Sequence, residues 1–95
     1  MHDVITKRKR LGKVQVTFVQ PPREEAVYLA GTFNGWQAEP LKRARDGSLR
    51  ATVSADPGET LEFRYVTASG EWFDDEGADE HVWNEHGTKN GLLHV

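Results

Sequence analysis

An all-β antiparallel sandwich of about seven strands is the fold class that three observations predict. Apolar and polar residues alternate with a two-residue period in several short runs. Turn-forming pairs built on Gly, Pro, Asn and Asp interrupt those runs at short intervals. No window longer than a turn carries helical periodicity. The 95 residues suit one domain with one modest core and leave no room for a second layer that would wall a deep cleft.

In chain order, the first strong run is 13–20, where Val14, Val16 and Phe18 share one face and Gln15 and Thr17 the other, with Pro21-Pro22 ending it. The basic stretch from Thr6 to Leu11 either extends this strand or forms a separate edge, where Lys and Arg resist pairing with other chains. This divides the chain into a basic opening, 1–12, and a body, 13–95. Val27, Leu29 and Gly31 then alternate with Tyr28, Ala30 and Thr32. Asn34-Gly35 follows, two residues that accept positive φ cheaply, so the chain reverses there and presents Trp36 on a loop. Pro40-Leu41 opens a short segment, and Asp46-Gly47 is a hairpin signal leading to the half-buried pattern of 49–55.

Pro57-Gly58 turns the chain into a run in which Leu61, Phe63, Tyr65 and Thr67 oppose Glu62, Arg64 and Val66. After the reversal at Ser69-Gly70, Glu71-Trp72-Phe73 starts another strand, and the acidic segment from Asp74 to Glu85, Trp83 included, reads as loop. A strand over 91–95 closes the chain.

Charge is unevenly spread. Residues 1–23 hold six Lys or Arg against Asp3 alone, whereas 71–86 hold seven acids and no Lys or Arg, in a chain of net charge −3. The two ends therefore attract each other within the fold. The absence of cysteine leaves no disulfide framework and no thiolate metal site, which favours the reducing cytoplasm. No run approaches the roughly 20 apolar residues of a membrane span, and the basic opening lacks the apolar segment of a secretory signal.

The stretch Val27-Tyr28-Leu29-Ala30-Gly31-Thr32-Phe33-Asn34-Gly35-Trp36, followed by Phe63-Arg64-Tyr65, Gly70-Glu71-Trp72 and Gly87-Thr88-Lys89-Asn90, resembles carbohydrate-binding module family 48. That family, also called the isoamylase N-terminal or early-set domain, includes the glycogen-binding domain of the AMP-activated protein kinase β subunit. The likeness covers roughly residues 13–95, with four separated motifs in the family's order. It implies an immunoglobulin-like early-set sandwich that binds α-glucan (glycogen, starch or malto-oligosaccharide) without catalysis and without a cofactor, with a protein of glycogen metabolism as a further partner. Free-standing bacterial members carry a similar basic opening, which implies a stand-alone module.

Carried over by motif, the resemblance makes Trp36 and Trp72 the sugar platform, Arg64 and Asn90 its polar partners, and Thr88 the family's threonine; His86 stands where the family inserts a leucine. The turn Thr67-Ala68-Ser69-Gly70 is also longer than the family's usual Asp-Gly reversal. The chemistry fits these residue types. A pyranose has an apolar C–H face and a rim of hydroxyls, which an indole plane surrounded by donors and acceptors matches. Each residue also has a plain structural assignment: both tryptophans as core, Arg64 as a solvated strand residue beside Glu62, and Asn90 before Gly91 as a turn residue.

Other functions fit less well. Glycoside hydrolysis needs two carboxylates flanking a bond in a cleft, and Asp74, Asp75 and Glu76 share one expected loop. With His81 these acids lack the spacing and glycine of a calcium loop. Lys7 to Arg10 offer four charges without interleaved aromatics in an acidic protein, a poor nucleic-acid footprint. The serious competitor is a sandwich that has lost its sugar and acts as a protein-interaction module.

Overall fold

The structure, a computed structural model, describes residues 4–73, 78–85, 87 and 89–95. It is an immunoglobulin-like, all-β sandwich of two antiparallel sheets. Among the described residues there are ten strands, seven of which have four or more residues. They are β1 Val4–Arg10, β2 Lys13–Gln20, β3 Val27–Gly31, β4 Glu39–Pro40, β5 Lys42–Arg43, β6 Leu49–Ala55, β7 Thr60–Thr67, β8 Trp72–Phe73, β9 Glu80–Trp83 and β10 Lys89–His94. One sheet runs β1-β2-β6-β5; the other runs β4-β3-β7-β10-β9, with β8 pairing β7 beyond the end of β10. Among the described residues no helix is long and apolar enough to cross a membrane.

The basic opening is a separate edge strand, β1, folded back on β2 through a two-residue turn at Leu11-Gly12. Both turn residues have positive φ (52° and 78°), the geometry whose twist suits a tight hairpin. From this edge Lys7 reaches the opposite sheet, donating to the His94 carbonyl oxygen (2.5 Å) and lying 3.8 Å from Asp79. That contact joins the basic opening to the acidic segment. The Pro40-Leu41 segment is split: β4 pairs β3 in one sheet and β5 pairs β6 in the other, with buried Leu41 as the pivot between them.

The core is where the two inner faces meet. Val16, Phe18, Val27, Leu29, Leu61, Phe63, Tyr65 and Leu93 are essentially fully buried, and each sits on the inward side of its strand's alternation. Five rings form a row across it: Phe33 to Phe18 at 5.8 Å, Phe18 to Phe63 at 4.9 Å, Phe63 to Tyr65 at 5.9 Å, and Tyr65 stacked on Phe73 at 5.3 Å between centroids. The Arg23 guanidinium covers Phe73 at 4.9 Å.

Two expectations change. The acidic segment is not all loop: Glu80–Trp83 forms β9, because its backbone groups find partners along β10, and Trp83 is therefore a strand residue. The final strand begins at Lys89, two residues earlier than its apolar pattern indicates, so Asn90 lies in a ladder and not in a turn.

Two predictions concern turns. Leu11, 95% exposed and held at positive φ, buries nothing in return for its strain; Leu11→Asn should raise stability by about 0.5–1 kcal/mol in chemical denaturation. At the second hairpin, Asp46 accepts from the Ser48 hydroxyl (2.6 Å) and backbone N–H (2.9 Å), which with nearby Arg50 holds its carboxyl below the usual range. A carboxyl depressed in the native state stabilises at pH above its ordinary value, and that contribution disappears as pH falls through the native value. Asp46→Asn should therefore flatten the acid limb of the stability-versus-pH curve and leave the alkaline limb unchanged.

Candidate functional site

The turn after β3 is built by Asn34. Thr32–Asn34 form one turn of 3-10 helix. The Asn34 side chain accepts from the Gly31 N–H (3.0 Å) and donates to the Leu29 carbonyl oxygen (3.1 Å), while the Trp36 N–H donates back to the Gly31 carbonyl (2.9 Å). Thr32 Oγ1 accepts from the Glu62 N–H (3.2 Å), so the turn is also stitched to β7. Positive φ falls on Gly35 (65°) and Trp36 (63°), not on Asn34, whose amide clamps Gly31 to Leu29. Gly31 is required by proximity: a Cβ there would lie 2.6 Å from the Glu62 carbonyl oxygen and from the edge of the Phe33 ring.

β8 supplies the second tryptophan. Tyr65 pairs with Phe73 and Val66 with Trp72, so Phe73 turns into the core and Trp72 outward. On β7 the outward positions beside it are Arg64 and Glu62. The Arg64 guanidinium lies 5.6 Å from the Trp72 ring centroid, close enough to orient the indole as well as offer donors at its edge.

Trp36, Arg64, Trp72 and Asn90, together with Glu62, Asn84 and Glu85, line a single open concavity of about 920 Å3 on the outer face of the sheet. Trp36 and Trp72 are 41% and 47% exposed. Neither indole is a core residue, which removes the plain structural assignment for both. Asn90 differs: only 6% exposed, it donates from Nδ2 to Glu62 Oε1 (2.7 Å) and accepts at Oδ1 from Asn84 Nδ2 (2.9 Å). His86 and Thr88 lie outside the described residues, as do Asp74, Asp75 and Glu76.

Sequence reasoning leaves out Glu62, Asn84 and Glu85 as lining residues. Glu62 is legible in principle, since it stands two positions from Arg64 on the same face of one strand. Asn84 and Glu85 have no such signal, because their place depends on the β9–β10 pairing. Trp83 stays apart from the lining, 71% exposed with Lys89 Nζ 4.9 Å from its ring.

A bulky residue with φ of 63° is strained by about 1–2 kcal/mol, and Trp36 bears that strain in order to project outward. The usual order of small substitutions should then invert: Trp36→Gly should be about 1 kcal/mol more stable than Trp36→Ala in denaturant unfolding. Comparison with protein-family models and with curated proteins gave no match for this chain, so the reading of its site rests on the geometry above.

Proposed function

We propose that the chain is a non-catalytic α-glucan-binding module, taking glycogen, starch or malto-oligosaccharide at the concavity lined by Trp36 and Trp72. One observation carries this reading. Two half-exposed indoles, an arginine and an asparagine brought from four separate segments line the same open concavity on the outer face of a sheet. Aromatic planes meet the C–H faces of pyranose rings, and Arg64 and Asn90 meet hydroxyls from the floor between them. The resemblance of the motifs to carbohydrate-binding module family 48 points the same way. The openness of the concavity supports binding over hydrolysis, since acid catalysis by a carboxyl group works best where water is kept out. A cytoplasmic location and a partner protein of glycogen metabolism belong to the same proposal.

Affinity should be modest. If each ring hides roughly 80 Å2 at about 25 cal/mol/Å2, two rings supply about 4 kcal/mol, a Kd near 1 mM. Retention on a polymer then depends on repeated contacts along it. One observation favours a protein-interaction role instead: Trp83, the most exposed tryptophan, stands on the edge strand β9.

Titration with maltoheptaose or β-cyclodextrin should change tryptophan fluorescence with a midpoint near 1 mM, and glycogen in a native gel should retard the protein. Trp36→Ala should abolish both responses while the domain stays folded. A folded wild-type protein that ignores millimolar sugar would rule out the glucan reading and leave the interaction role.

A further inference from the structure

We propose that Glu62 is a positioning residue that sets the donor and acceptor order of the polar floor through Asn90, an inference that rests on the α-glucan reading of this concavity. Two amides on this floor, Asn84 and Asn90, must each sit one way round. An Asn side chain is nearly symmetric in shape, and a pair such as Asn84 and Asn90 can hydrogen-bond in either sense if both flip together. A carboxylate has no such freedom, because when ionised it only accepts. Glu62 Oε1 lies 2.7 Å from the Asn90 amide, so that side must be Nδ2. The Asn90 oxygen then faces Asn84, which must offer its own nitrogen at 2.9 Å. Glu62 is thus a member of this chain whose polarity is fixed, and it dictates which way round the Asn90 amide sits.

All three residues line the concavity, and they come from β7, the segment after β9, and β10. Asn90 is nearly buried and Glu62 half-buried, so the group is held in place before any ligand arrives. The ligand class this suits is a neutral pyranose bearing adjacent hydroxyls, each needing one donor and one acceptor in a set order. With the order preset, the sugar does not have to select one amide arrangement from two.

The test is a double-mutant cycle read by maltoheptaose titration. Glu62→Ala and Asn90→Ala should each weaken binding about tenfold, the first because Asn90, without its carboxylate anchor, must be immobilised by the sugar as well as turned to the right amide order, the second because the amide itself is gone. The double variant should be no weaker than either single one, since Glu62 acts through Asn90. Glu62→Gln should recover most of the loss and stay at most about twofold below wild type, because glutamine restores the bond but no longer dictates the amide order. In the sugar-free protein, the Asn90 side-chain NH2 should give one hydrogen-bonded, slowly exchanging proton in a 1H–15N spectrum, lost in Glu62→Ala while thermal unfolding stays cooperative. Losses that multiply in the double variant, or a Glu62→Ala protein that binds like wild type, would overturn this inference and leave the glucan reading standing. A wild-type protein that binds no maltoheptaose overturns both.

Discussion

The structure depends on the close approach of β3 to β7 at Gly31. There the extended backbone of Gly31 sits against the Glu62 carbonyl oxygen, and the Phe33 ring folds over the space a side chain would fill. That overlap lets Phe33 reach the core and meet Phe18. From Phe18 the row of rings runs through Phe63 and Tyr65 to Phe73. Its two ends are the segments that carry the exposed indoles: Phe33 stands three residues before Trp36, and Phe73 directly follows Trp72. Core packing thus places both surface tryptophans. Close-packed cores resist shifts of even a methylene group, so the backbone positions that carry the two indoles are fixed relative to each other.

Division of labour within the Val27–Trp36 stretch follows from the same contact. Val27, Leu29 and Gly31 are buried and hold the sheet. Asn34 belongs with them, since both ends of its amide are spent on Gly31 and Leu29. Trp36 faces outward at the end of the stretch, and it does so in a left-handed conformation that a tryptophan adopts at a cost. The Asn34 clamp and the backbone bond from Trp36 to Gly31 are the interactions that hold it there.

Most of the fold was legible because a two-residue period names the buried face directly, as on β2, β6 and β7. β9 was not, because Glu80–Trp83 is an edge strand whose inward side covers little core and so shows no alternation. Its existence is settled by pairing with β10, a nonlocal fact. The site divides in the same way. Aromatic and basic residues announce themselves by type, which found Trp36, Trp72 and Arg64, but polar partners are defined by neighbours distant in sequence. Asn90 finds Glu62 twenty-eight positions away and Asn84 six positions away, and its placement in a ladder could not follow from Asn-Gly alone.

How such a surface would distinguish sugars follows from which of its parts are rigid. The indoles give area without much direction, since a C–H face stacks on a ring in many rotations and the energy varies slowly with angle. Direction must come from hydrogen bonds. A flexible lysine at the rim would adapt to many hydroxyl patterns and discriminate little between them. Here the floor donors are a guanidinium packed over Trp72 and an amide locked between Glu62 and Asn84, so each presents one geometry. A sugar whose hydroxyls do not match leaves these groups partly unpaired against an apolar face, which costs more than the matching contact contributes. On the α-glucan reading, the two exposed indoles would govern how tightly a pyranose is held, and the Glu62–Asn90–Asn84 chain would govern which pyranose it is.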